Sequence, residues 1–95
     1  MNWNFDQGKN VAALITKQVI EEGYPILQVV HYSDDHSWAF MCGTTSESAD
    51  TMMVSMEQAV SIDSSLFKIG TLPPGCIASR QSIDEEWYCE KVDGI

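Results

Sequence analysis

Residues 31–36, His-Tyr-Ser-Asp-Asp-His, hold the densest group of side chains that could do chemistry. His31, Asp34, Asp35 and His36 are all of types that bind a divalent metal, but a catalytic zinc needs about three converging protein ligands. An H-x4-H spacing on a short turn gives no reason for such convergence. Two adjacent aspartates in a solvated turn would both stay ionised, whereas an acid–base pair needs a low-dielectric cleft. We therefore predict neither a metal site nor catalytic carboxylates here.

Other signatures of catalysis or cofactor binding are missing from the sequence. It contains no G-x-S-x-G elbow, no Walker loop and no G-x-G-x-x-G among its six glycines. No signature links a cysteine to either histidine. Arg80, the only arginine, follows an apolar run and is predicted to pair with a carboxylate rather than to clamp a ligand. The chain is predicted not to be an enzyme and to need no cofactor.

The elements that would position these residues follow from the hydrophobic pattern. Apolar and β-branched runs predict five strands, over residues 11–15, 26–32, 37–42, 76–80 and 86–92. Residues 33–36 are then a hairpin loop, which prefers Asp and Ser for local backbone hydrogen bonds. Short helices are predicted from Thr16 to Gly23, and after Ser55 and Asp63, which are each predicted to cap the helix that follows. Met52 and Met53 are expected to lead into the second helix, and residues 43–50 to form a polar loop.

This order of elements predicts an α+β fold. We expect a single domain over residues 10–95, with two or three short helices packed on one face of a mostly antiparallel sheet of about five strands. Residues 1–9 are expected to form an N-terminal arm. Trp38 and Trp87 are assigned to the core, and the place of Trp3 stays open.

Composition narrows the possible environments of the chain. It has 95 residues with 44% hydrophobic, enough for one modest core. No stretch approaches the roughly 20 apolar residues that span a bilayer, and the first ten residues lack the basic and apolar regions of a signal peptide. The three cysteines are widely spaced, which predicts buried, reduced thiols and neither a disulfide framework nor a structural zinc. A cytoplasmic location is expected.

Charge is the most informative bulk property. Fourteen acidic residues against five basic ones give a net charge of −9. Such a chain repels phosphate backbones, so nucleic-acid binding is not expected, and it attracts basic proteins. The acidity could also serve solubility alone.

Three stretches carry a family resemblance: ITKQVIEEGYPI, SWAFMCGT, and SIDSSLFKIGTLPPGCIASR followed by Trp87. Their order over about residues 11–90 resembles a family of small bacterial proteins of unknown function. Related members are classed as immunity proteins of polymorphic-toxin systems. The chain departs from the pattern at Cys76 and at His36-Ser37, where an Asp-Gly turn is commoner. The resemblance implies a toxin-binding role and brings no catalytic residues.

Two kinds of function are therefore compared. The first is an acidic, non-catalytic protein-binding domain, an immunity protein that occludes a basic effector. Its contact residues are predicted among the exposed acids Asp34, Asp35, Asp84, Glu85 and Glu86. The second is a small metal- or ligand-binding domain, with an uncharacterised regulatory role as a further alternative. The protein is expected to be a monomer or a homodimer.

Overall fold

The computed structural model describes residues 3–43 and 51–95, which form one six-stranded sheet. Its strands are β1 (Ala12–Thr16), β2 (Gln28–His31), β3 (Trp38–Met41), β4 (Thr51–Ser55), β5 (Cys76–Ser79) and β6 (Tyr88–Lys91). Their order across the sheet is β4-β1-β3-β2-β5-β6. Only the β1–β3 pair is parallel, and the other four pairs are antiparallel. The predicted α+β class with a mostly antiparallel sheet is confirmed.

Three short helices accompany the sheet within the described ranges: α1 (Lys17–Glu21), α2 (Met56–Ile62) and a 3₁₀ helix (Ser64–Ile69). The Ser55 hydroxyl caps α2 by accepting from the Gln58 N–H at 3.0 Å. Asp63 Oδ1 caps the 3₁₀ helix by accepting from the Ser65 N–H at 2.9 Å. Each cap satisfies a backbone donor that the helix itself leaves open. None of these helices is long and apolar enough to cross a membrane.

Strand β4 is the element that the local pattern did not predict. The expectation that Met52 and Met53 lead into a helix is wrong, because both lie in β4, which pairs in antiparallel register with the whole of β1. Helix α2 begins only at Met56. The predicted polar loop over residues 43–50 lies outside the described residues except for Gly43.

The core lies on one face of the sheet. Ile15, Val29 and Phe40 project from the central strands into a single cluster with residues of all three helices, among them Val19, Met56 and Leu66. Because side chains alternate along a strand, their neighbours belong to the opposite face. The residues of that opposite face that share one row across the strands are Met53, Leu14, Ala39, Val30, Ile77 and Glu90.

Tryptophans and cysteines divide between core and surface. Trp38 is fully buried, as predicted, while Trp87 and Trp3 are half-buried against the core. Cys42 is buried, Cys76 is intermediate and Cys89 is exposed on β6, and none of the three forms a disulfide. The expectation of burial is therefore wrong for Cys89. An edge strand has no neighbour on one side, so an apolar run there does not become core.

Residues 3–7 of the N-terminal arm pack against the domain. Phe5 belongs to the core, with its ring 5.0 Å from that of Trp38 in an edge arrangement. The Asn4 side-chain amide donates to the Phe67 carbonyl at 2.8 Å, and that of Gln7 donates to the His36 carbonyl at 3.0 Å. The arm thus connects the 3₁₀ helix to the β2–β3 hairpin.

The register of β4 gives a matched test with two adjacent methionines. Met52 packs against the core, whereas Met53 is 68% exposed on the opposite face. Met52→Ala should lower the free energy of unfolding by about 1–2 kcal/mol, below the range for fully buried methionines because Met52 is only partly buried. Met53→Ala should change it by less than about 0.5 kcal/mol. Urea unfolding midpoints, compared at constant m-value, measure both changes in stability. Equal losses of stability in the two variants would contradict the register of β4.

Candidate partner-binding surface

The hairpin tip uses its aspartates for local structure. Asp34 Oδ1 accepts from the Asp35 N–H at 2.8 Å, and Asp35 Oδ1 accepts from the Ser37 N–H at 3.0 Å. The hydrogen bonds from Ser37 lower the pKa of Asp35. His36 has φ 60°, in the left-handed region that residues other than glycine seldom adopt. Asp34 and Asp35 remain exposed.

His31, by contrast, points into the interior. Its ring is 1% exposed and stacks on Trp38, with the ring centroids 3.9 Å apart. Nδ1 lies 2.7 Å from the Leu72 carbonyl oxygen, which can only accept, so Nδ1 carries a proton. Nε2 lies 3.1 Å from Asp6 Oδ2, within the distance of an ion pair, but the two atoms do not form a hydrogen bond.

Asp6 is the centre of this polar cluster. Its Oδ1 accepts from the indole N–H of Trp38 at 2.9 Å, and its Oδ2 lies 3.8 Å from His36 Nδ1. Both nitrogens of His31 are buried, with Nδ1 beside the Leu72 carbonyl and Nε2 beside Asp6. The described residues contain no group of three or more side chains placed to hold a metal ion. His31 thus fastens the arm to the sheet.

Arg80 organises the opposite end of the sheet. Its terminal nitrogen Nη2 is 2.6 Å from Asp63 Oδ2, and this ion pair has the arginine side chain 1% exposed and the aspartate 24%. Nη2 and Nε donate to the Ile26 carbonyl at 2.9 and 3.2 Å. Nη1 donates to the Ser65 hydroxyl at 3.0 Å, and the guanidinium lies 4.1 Å from the Trp87 ring centroid. The sequence predicted the ion pair, and Asp63 is the partner.

Asp63 is held in its charged form by these contacts. Partial burial on its own would raise the pKa of the carboxyl, but hydrogen bonds from Ser65 and from Arg80, together with the Arg80 charge, outweigh it. The net result is a pKa below the ordinary value of 3.8. The carboxylate stays ionised at neutral pH, and part of it faces solvent.

The five predicted contact residues fall into two separate groups. Asp34 and Asp35 follow the carboxyl end of β2, where His31 is paired with Cys76. Asp84, Glu85 and Glu86 lie in the β5–β6 loop, beyond the end where Gln28 is paired with Ser79. The length of β2, about 10 Å between Gln28 and His31, separates these ends. All five are exposed, but the fold does not bring them together.

Three exposed apolar side chains complete the surface near the β5–β6 loop. Tyr24, Ile62 and Ile83 come from three distant segments and line one groove. No hydrophobic pattern reveals them, because each is isolated: Tyr24 lies between Gly23 and Pro25, Ile62 ends α2, and Ile83 lies inside the polar β5–β6 loop. Ile83 carried the best signal, since an isoleucine inside the polar stretch Gln-Ser-Ile-Asp-Glu is out of place in a solvated loop.

The Arg80–Asp63 pair predicts a specific dependence of stability on pH. Asp63→Asn leaves the buried guanidinium without its counter-charge and should cost about 3 kcal/mol at pH 7, at the low end for a broken buried pair because Asp63 is partly exposed. The wild-type pair contributes fully above pH 3.8 and is lost as the pH falls through the lower folded-state pKa. Unfolding midpoints of wild type and variant should therefore converge below pH 3.8.

Exposed Asp84 provides the control for that experiment. Asp84→Asn should change stability by less than about 0.5 kcal/mol at pH 7. A constant difference between wild type and Asp63→Asn down to pH 2 would contradict the assigned pair.

Asp6 provides a test of the arm. Asp6→Ala removes the acceptor of the Trp38 indole N–H and should cost about 1 kcal/mol, since the carboxylate is partly exposed. Exchange of the Trp3 indole N–H, which donates to the Gln7 carbonyl within the arm at 2.7 Å, should accelerate, while amide exchange of β5 and β6 should not. Asp93→Ala, at an exposed aspartate near the carboxyl terminus, is the control. Unchanged exchange of the arm in Asp6→Ala would show that Asp6 does not fasten it.

No protein-family model, curated protein or solved structure matches this chain. A function therefore has to be argued from the charges, exposures and contacts of its own residues.

Proposed function

We propose that this chain is a non-catalytic, acidic protein-binding domain whose partner is a basic protein. In its specific form, it is a cytoplasmic immunity protein that occludes a basic effector toxin. The observation that carries the proposal is the net charge of −9, much of it on exposed carboxylates at the end of the sheet where the β5–β6 loop lies. The resemblance of residues 11–90 to immunity-related proteins supports the specific form.

The arrangement of the acids at that end supports binding to a protein. The segments 20–26, 61–63 and 80–86 carry six carboxylates, Glu21, Glu22, Asp63, Asp84, Glu85 and Glu86, against one cation, Arg80. Arg80 is buried and paired with Asp63, so it does not offset the field of the five exposed acids. A field of one sign steers a basic partner and raises its association rate, up to about 10⁸–10⁹ M⁻¹s⁻¹ at low salt.

The positions of the two histidines also favour partner binding over catalysis. His31 is buried with both nitrogens beside partners, and His36 lies exposed in a turn. The carboxylates of Asp34 and Asp35 bond to backbone N–H groups of their own turn. These side chains are used to build the hairpin, so what remains for function is a charged surface. This supports contact with a partner as the role of the exposed acids.

The proposal is tested by co-expression with the products of the neighbouring genes. A basic product that arrests growth alone should be tolerated when this protein is present, and the two should co-purify. The triple variant Asp84→Asn/Glu85→Gln/Glu86→Gln should slow association by about tenfold at low salt and reduce the dependence of the rate on ionic strength. Stopped-flow fluorescence measures both quantities.

The matched control removes the same charge elsewhere. Glu57→Gln/Glu90→Gln/Asp93→Asn neutralises three exposed carboxylates outside the β5–β6 loop and should slow association less. Growth arrest that persists with every neighbouring candidate would rule out the immunity role. Equal effects of the two triple variants would show that only net charge matters.

A further inference from the structure

A groove of about 640 Å³ opens beside the β5–β6 loop. Its walls come from three segments: residues 23–26 between α1 and β2, Ile62 and Asp63 at the end of α2, and residues 81–83 after β5. The volume lies within the range of about 300–1,000 Å³ that is typical of ligand pockets. The groove is thus large enough to take side chains of a partner.

The rim of the groove is apolar and exposed. Tyr24 is 41% exposed, Ile62 43% and Ile83 61%, and all three line it. Isolated exposed apolar residues need no explanation, but three that converge on one concavity mark an interaction site. Aromatic and aliphatic anchors of this kind supply most of the affinity of protein interfaces.

The charge around the groove selects the chemistry of its occupant. Four exposed acids are next in the chain to lining residues: Glu21 and Glu22 precede Gly23, and Asp84 and Glu85 follow Ile83. Asp63 lies in the groove itself and keeps an exposed part. A second copy of the chain would bring a net charge of −9 against these acids and be repelled. The complementary occupant is apolar with cationic flanks.

We propose that this groove binds a segment of the partner protein that presents apolar side chains flanked by lysine or arginine. The apolar side chains pack among Tyr24, Ile62 and Ile83, and the cations lie against the carboxylates of the two walls. This inference rests on the proposed function, because it places the basic partner on one defined surface. It also assigns most of the binding affinity to Tyr24, Ile62 and Ile83, which are not among the predicted acidic contact residues.

Arg80 holds the walls of the groove in place before a partner binds. Its guanidinium bonds to Ile26 and Asp63, which both line the groove, and to the carbonyl of Ile83 at 3.5 Å. One buried side chain therefore contacts all three segments. Walls held in this way lose less conformational entropy on binding than free loops would.

A peptide titration tests the inference directly. The probe is the blocked peptide Lys-Lys-Leu-Phe-Lys-Lys, with Lys-Lys-Ser-Ser-Lys-Lys and Glu-Glu-Leu-Phe-Glu-Glu as controls. In ¹⁵N-labelled protein at low salt, the probe should shift amide resonances of residues 21–26, 61–63 and 81–86. Both control peptides should bind at least about tenfold more weakly.

Protein variants supply the second half of the test. Ile83→Ser and Tyr24→Ser should each weaken binding of the probe by about tenfold. Met53→Ser is the matched control, because Met53 is at least as exposed as Ile83 and Tyr24 but lies on the other face of the sheet. The affinity of this variant for the probe should stay within about twofold of wild type. Unchanged urea midpoints will show that all three variants are folded.

The results separate this inference from the proposed function. Resonance shifts centred on residues 33–36, or wild-type affinity of Ile83→Ser and Tyr24→Ser for the probe, would contradict the groove as the binding site. If the same two variants still neutralise a basic partner on co-expression, the groove is wrong and the protein-binding function stands. If no basic peptide or protein binds at any surface, both are wrong.

Discussion

A buried guanidinium is the constraint on which the groove end of this fold depends. Taking the Arg80 charge out of water costs several kcal/mol unless a counter-charge and hydrogen bonds replace the lost hydration. The chain meets this requirement with the Asp63 carboxylate, the Ile26 carbonyl, the Ser65 hydroxyl and the Trp87 ring. These groups come from three separate segments, around residues 26, 63–65 and 87, so the guanidinium fixes the positions of three parts of the chain relative to one another. Because Arg80 contacts all three segments that line the groove, this requirement also sets the shape of the groove.

The two ends of the sheet use similar side chains in different ways. At the hairpin end, Asp6 and His31 fasten the arm, and Asp34 and Asp35 hold a tight turn. At the other end, Asp84, Glu85 and Glu86 are all exposed. An exposed carboxylate contributes little to stability, so the acids of the β5–β6 loop are free to serve recognition. This difference makes that loop the better candidate surface.

The proposed binding at this surface combines two physical effects with different roles. The field of the carboxylates acts over about 8 Å at physiological ionic strength and mainly speeds encounter. Tyr24, Ile62 and Ile83 act only at contact, where burial of apolar area supplies affinity at about 25 cal/mol per Å². An acidic surface alone would bind many basic proteins weakly. In the proposed complex, the apolar groove beside it adds the shape on which specificity depends.

The sequence alone determined the local features of this protein. It predicted most strands and helices, the caps at Ser55 and Asp63, the hairpin at residues 33–36 and the net charge, because these depend on side-chain type and on neighbours a few residues apart. The sequence Pro73-Pro74-Gly75 likewise predicts a tight turn in which glycine supplies a positive φ, and Gly75 has φ 83°.

Only the tertiary structure decided which distant groups meet. Strand β4 exists because it pairs with β1, although Thr-Met-Met-Val-Ser has no clear alternation of its own. Asp63 is one of fourteen acids that could have paired with Arg80. Asp6 reaches His31 across 25 positions, and the groove joins residues 24, 62 and 83. Such contacts are set by the packing of whole elements around a shared core, and no local pattern in the sequence encodes them.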